Sequence, residues 1–137
     1  LQAAIGREQL KKLPEIVKTR RQFAGYYLYR LKHVEELSLP HEPQNCRSNW
    51  QSYSVLLRDG LPQKQIMQDL LDHGIATRRG VMCAHLEDAY RGMNLSLPVS
   101  ERVQNQSIIL PLFSQMTEKD FDFIADHLVQ AIRKAKG

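Results

Sequence analysis

The apolar residues of this chain change their spacing part-way along, and that change limits the folds open to it. Val17, Ala24, Tyr27, Leu28, Leu31 and Val34 recur at threes and fours, which predicts a helix with one buried stripe. Leu1, Ala4, Ile5, Leu10 and Leu13 read as the stripe of an earlier helix. Pro14 falls between the two. Lacking an N–H, it suits a helix start better than a helix interior, so the break is placed there. Pro40 and Pro43 bracket a loop, and the second helix is expected to end near Leu37. From Asn49 to Leu57 the period is two: Tyr53, Val55 and Leu57 share one strand face, and Trp50, Ser52 and Ser54 the other.

The second half repeats this alternation. Pro62 marks a helix start, Ile66, Met67, Leu70 and Leu71 form its stripe, and Gly74 closes it by accepting a left-handed backbone. Ile75 to Arg79 reads as a short second strand. "SERVQNQ" reads as a brief helix and "SIILPL" as a buried strand ended by Pro111. "TEKD", Thr117 to Asp120, resembles a capping box with Asp in place of Glu or Gln. Phe121, Ile124, Leu128 and Ile132 then give the last helix an apolar face. The sum is an α+β fold, a small antiparallel sheet covered by helices, expected to be a single domain over residues 1–137.

Composition narrows the function classes. With 42% hydrophobic and 25% charged residues the chain reads as an ordinary globular protein. No apolar run approaches the roughly 20 residues that span a bilayer, so no membrane contact is expected. The opening does not read as a signal peptide. Two cysteines, Cys46 and Cys83, make no disulfide framework, and a cytoplasmic location is expected. The first residue is not methionine, consistent with a piece of a longer chain. The net charge of +4 gathers in Lys18 to Arg21 and in Arg133, Lys134 and Lys136. No nucleic-acid-reading motif surrounds either cluster. The first reads as a solvated face, and the second as cations opposing a helix macrodipole.

"TRRGVMCAHLEDAY", Thr77 to Tyr90, is where chemistry would sit. On a strand, Cys83 and His85 would share a face and could point at one ion. Structural zinc needs four ligands, however, and neither Cys46 nor His41, His73 or His127 supplies a paired spacing. Cys83 could be a thiolate activated by His85 or Arg79, or a small buried thiol between Met82 and Ala84. Arg78 and Arg79 would alternate sides of a strand, so one of them could face a pocket and hold a carboxylate or phosphate. Neither GxGxxG nor GxxxxGK[ST] occurs, which excludes phosphate-loop chemistry. From the residues alone, this is a possible polar pocket around Arg79 and His85.

The order of several motifs goes further. "AAIGREQLKKLPEIVKTRRQFAGYY", "SNWQSYSVLL", "GIATRRGVMCAH" and "LPVSERVQNQSIILPLFSQMTEKD" resemble, in sequence order, the small domain of the DegT/DnrJ family of pyridoxal-phosphate-dependent sugar aminotransferases. The resemblance implies the C-terminal small domain of a fold-type I transferase. The large domain with the cofactor-binding lysine would then lie upstream of Leu1. It implies pyridoxal 5′-phosphate in the full-length protein and none bound by this chain alone, since none of the eight lysines lies in a family motif. It implies an enzyme that moves an amino group, usually from glutamate, to a nucleotide-linked keto-sugar, and a homodimer when complete. His85 matches the family histidine on the substrate-cleft wall, and Arg78 the arginine of its TR pair. Arg79 and Cys83 stand where relatives often carry proline. The alternative expectation is a free-standing interaction or regulatory domain that reuses the fold without chemistry.

Overall fold

The computed structural model describes residues 1–93 and 95–137. Its first element is one helix rather than two: α1 runs from Gln2 to Leu31 straight through Pro14. The proline forfeits one backbone bond and crowds the preceding turn, a cost of about 3 kcal/mol in a helix interior. Good helix formers surround it, and Glu8–Lys11 and Glu15–Lys18 ion pairs lie on either side. The expected first stripe stays in the open, with Leu1, Ile5, Leu10 and Leu13 all exposed. The buried face begins only at Ala24 and continues through Tyr27 and Leu31, while Leu28 points outward.

α1 also stops six residues before the expected boundary, and Leu37–Ser38 forms an edge strand, β1. His33 and Val34 are weak helix formers, and the open edge of the next strand offers Leu37 a ladder instead. That strand, β2, covers Tyr53–Leu57, with Tyr53, Val55 and Leu57 buried and the residues between them half-buried. Asn49 to Ser52 are not part of it. Asn49 Oδ1 accepts the Gln51 N–H at 3.1 Å and Ser48 Oγ the Trp50 N–H at 3.1 Å. These local bonds hold Trp50 at φ 49° and compete with strand pairing. The preceding loop is anchored by Arg21, whose two terminal nitrogens donate to the Glu42 carboxylate at 2.7 and 2.8 Å. One member of the basic cluster is therefore a fork-to-carboxylate tie rather than a solvated charge.

Gln63–Asp72 forms α2, buried through Ile66 and Leu70. Gly74, at φ 79°, closes it as expected, and the Ile75 N–H returns to the Leu70 carbonyl at 2.9 Å. The second strand shrinks to Arg78–Arg79, here β3. Pro98–Gln106 is α3, and Ser107–Leu110 follows immediately as β4. Glu118–Lys136 is α4, whose first turn is closed by Asp120 Oδ2 accepting the Thr117 N–H and hydroxyl at 2.7 and 2.8 Å.

The sheet order is β1-β2-β4-β3, with every pairing antiparallel. Helices α1, α2 and α4 surround one core in which Tyr27, Tyr53 and Phe121 meet. The Tyr27 ring lies 5.0 Å from Tyr53 and 4.8 Å, edge-on, from Phe121. The Tyr27 hydroxyl donates to the Pro111 carbonyl at 2.8 Å, and burial pushes its ionisation far above the ordinary tyrosine range. Phe121, Ile124, Leu128 and Ile132 are all buried, as their spacing predicts. The α+β class with a small antiparallel sheet holds.

Candidate functional site

A concavity of about 1200 Å³ opens between β3 and the start of α4. Arg78, Arg79, Gly80 and Met82 border it on one side, and Phe113, Asp120 and Phe123 on the other. Strand alternation suggested that only one arginine could face a pocket; both border this one. β3 is two residues long and lies at the sheet's edge, and both arginines are exposed. Among the described residues no ion pair holds either guanidinium. The result is a basic margin beside an apolar wall of Met82, Phe113 and Phe123. Such a surface can hold an anionic ligand with a flat or apolar body.

Gly80 is what lets β3 lie so close to the sheet. A Cβ at this position would stand 2.6 Å from Ser107 Oγ and 2.8 Å from both Ser107 Cβ and Ser54 Oγ. Its N–H donates to Ser107 Oγ at 3.1 Å. The chain then leaves the extended conformation. The Leu86 N–H reaches the Cys83 carbonyl at 3.1 Å and the Glu87 N–H the Ala84 carbonyl at 3.0 Å, closing a tight 3₁₀ turn over Ala84–Leu86. Cys83 and His85 therefore do not share a strand face. Cys83 is buried, and its N–H donates to Gln104 Oε1 at 2.5 Å.

His85 does not border the concavity. Its side chain is 5% exposed, and its Nε2 lies 3.0 Å from Glu101 Oε1. The same oxygen accepts the Leu97 N–H at 3.1 Å. These two bonds, the histidine's foremost, hold the Glu101 carboxyl below the ordinary carboxylate range. The structure thus places Arg78 and Arg79 together and sets His85 apart, against α3. Glu101 and Gln104 were missed by the sequence reading. The signal was there in part: Glu101, Gln104 and Ser107 stand three apart, a spacing that gives a helix one polar face.

No lysine of the chain is placed against the concavity. All eight lysines are exposed, and Lys11, Lys18, Lys134 and Lys136 are engaged in ion pairs. Among the described residues no group of three or more His, Cys, Asp and Glu side chains could hold a metal ion. The one carboxylate that borders the concavity among the described residues, Asp120, is committed to capping α4. The surface can bind an anionic ligand with an apolar body, and a reaction would need groups that the described residues do not bring to the concavity.

Comparison with known proteins bears on what those groups are. The family model described as DegT/DnrJ/EryC1/StrS aminotransferase matches residues 1–129. A dTDP-4-dehydro-2,3,6-trideoxy-D-glucose 4-aminotransferase from Saccharopolyspora spinosa is 30% identical over 131 residues, which cover 95% of this chain and 34% of that protein. Among solved structures, the aminotransferase TlmJ from Streptoalloteichus hindustanus is 29% identical with a TM-score of 0.88, over 96% of this chain and 36% of its own. The E. coli GDP-4-keto-6-deoxy-D-mannose-3-dehydratase, solved with bound hydrated PLP, is 25% identical with a TM-score of 0.78, over 91% and 34%. The chain therefore spans about a third of the length of the relatives it matches.

Proposed function

This chain belongs to the DegT/DnrJ/EryC1/StrS aminotransferase family, and on that premise we propose that it is the C-terminal small domain of a pyridoxal-phosphate-dependent sugar aminotransferase. The complete enzyme transfers an amino group, with glutamate as donor, to a nucleotide-linked keto-sugar. The observation that carries this reading is the concavity itself. It sets two exposed arginines, held by no ion pair among the described residues, beside an apolar wall. The cofactor, held by the large domain, supplies the electron sink. The small domain's part is to bind and orient: Arg78 and Arg79 attract an anionic group on sugar nucleotide or donor, and His85, outside the concavity and against α3, contributes a hydrogen bond to a part of the substrate that extends beyond it. The complete protein works as a cytoplasmic homodimer.

The test uses the complete enzyme, assayed for amino transfer from glutamate to nucleotide-linked keto-sugars. Arg78→Ala or Arg79→Ala is expected to raise KM roughly ten- to a hundredfold, the loss of a charge-assisted contact of about 1.5–3 kcal/mol. His85→Ala is expected to lower kcat/KM while leaving the bound cofactor in place. This chain alone, mixed with pyridoxal phosphate and reduced with borohydride, is expected to show only scattered surface labelling. One stoichiometric lysine adduct on it would overturn the proposal. So would a complete protein without transfer activity, whether it dehydrates the sugar instead or does no chemistry at all. Sedimentation of the active protein as a monomer at every concentration would remove the homodimer.

A further inference from the structure

The segment after β3 is fastened to a single face of α3 and the residue that follows it. Gly80 donates to Ser107, Cys83 to Gln104, and His85 meets Glu101. The three acceptors are spaced by three residues, so they follow one helix face and the loop runs antiparallel along it. That face is itself anchored from behind: the buried Gln63 amide donates to the Gln104 and Ser107 carbonyls at 2.9 and 2.7 Å.

The last of these contacts decides what His85 can offer. A carboxylate only accepts hydrogen bonds, and a neutral imidazole carries its proton on one nitrogen. Glu101 Oε1 already takes the Leu97 N–H, and His85 Nε2 lies 3.0 Å away. We infer that Glu101 is a positioning residue, whose carboxylate holds His85 as the Nε2–H tautomer so that the imidazole presents Nδ1 as an acceptor. Nδ1 has no partner among the described residues and is not one of the sealed polar atoms. In that neutral tautomer a ligand group that reaches Nδ1 must donate: a sugar hydroxyl or an ammonium fits, and a bare carbonyl or phosphate oxygen does not. Substitution of Glu101 would let the ring turn or change tautomer while leaving the imidazole in place.

This inference extends the proposed substrate role of His85, and two measurements separate them. In the 15N-histidine-labelled chain at about pH 9, above the ordinary imidazole range, long-range 1H–15N spectra report each ring's tautomer. Wild-type His85 is expected to show a protonated Nε2 and an unprotonated Nδ1, and Glu101→Gln a mixture of tautomers. An Nδ1–H ring or full averaging in the wild type would overturn the inference, and this result needs no variant to fold. In the complete enzyme, Glu101→Gln is expected to lower kcat/KM about ten- to a hundredfold with cofactor retained. Glu101→Asp should recover part of the loss, and His85→Ala/Glu101→Gln should be no worse than His85→Ala. Additive losses would refute action through His85. An Nε2–H ring in a protein whose kinetics ignore His85→Ala would refute the substrate wall and leave Glu101's hold on the ring standing.

Discussion

Replacing Gly80 with alanine tests how β3 is seated. The added Cβ would stand 2.6 Å from Ser107 Oγ, and 2.8 Å from Ser107 Cβ and from Ser54 Oγ. Ordinary contact begins near 3.4 Å, so two relaxations are open. The seryl hydroxyls can rotate away, but the Ser107 rotation breaks the 3.1 Å bond from Gly80 N–H and does nothing for Ser107 Cβ. Otherwise β3 must lift by several tenths of an ångström, loosening its pairing of Arg78 with Ile109 and Arg79 with Ile108. Overpacking of this kind costs about 1–3 kcal/mol, and the hydrogen bond adds about 1 kcal/mol. Gly80→Ala should therefore destabilise by about 2–4 kcal/mol, a melting temperature lower by roughly 6–16 °C for a chain of this size. Urea unfolding at fixed pH gives the free energy directly. Removing the Ser107 side chain in Gly80→Ala/Ser107→Gly should return its share of the steric cost, leaving only the rotatable Ser54 hydroxyl in the way, so the double-mutant cycle should show a favourable coupling of about 1 kcal/mol. If Gly80→Ala lies within about 0.5 kcal/mol of the wild type, the value usual for an unconstrained surface position, the close seating of β3 is wrong.

Three further outcomes are expected. Arg21 and the Ser48 N–H hold the Glu42 carboxyl down at about 2 from an ordinary 4.5. Its contribution to stability is therefore complete above pH 4.5 and lost as pH falls through about 2. Glu42→Gln should flatten that acid limb in a series of unfolding curves, and an unchanged limb would contradict the pairing. Tyr27→Phe should cost about 1–2 kcal/mol by removing the part-buried bond to the Pro111 carbonyl, read by urea unfolding, and a neutral result would count against that bond. Pro14→Ala should slow amide exchange around residues 11–17 without shifting the global midpoint, because the helix there carries no buried residue. A rise of the midpoint by several degrees would mean that this half of α1 is docked.

The features legible in the sequence are those written in periodicity and in special backbone residues. The alternation of Tyr53, Val55 and Leu57, the stripe of Phe121, Ile124, Leu128 and Ile132, the Gly74 terminus and the Asp120 cap all depend on local pattern. They stand as expected. Pro14 misled because a single proline can be carried by strong helix formers around it, so its local penalty does not fix a boundary. The exposed stripe from Leu1 to Leu13 shows that spacing reports a face's polarity, not what covers it. Trp50 and Leu37 were misplaced because their conformation is decided by partners elsewhere, an Asx turn and an open sheet edge. The site divided in the same way. Two adjacent arginines were visible as a pair, but that both border one concavity depends on β3 being a short edge strand. The partnership of His85 with Glu101 spans 16 residues and the 3₁₀ turn at Ala84. No period records it.

The direct succession of α3 by β4, with Gln106 the last helical residue and Ser107 the first of the strand, bears on how this fold can change length. One residue inserted at that seam must be absorbed on one side or the other. Taken up by the helix, it turns Glu101 and Gln104 by about 100° away from the segment they grip. Taken up by the strand, it moves Ile108 and Leu110 to the opposite face and brings their neighbours into the core. The seam is thus a fixed point for insertions and deletions. The stretch between β1 and β2, residues 39–52, joins two neighbouring antiparallel strands with far more chain than a tight hairpin needs. A residue added there outside the Glu42 anchor need not disturb either strand, whereas one added between Leu97 and Leu110 must displace the helix face or the strand face.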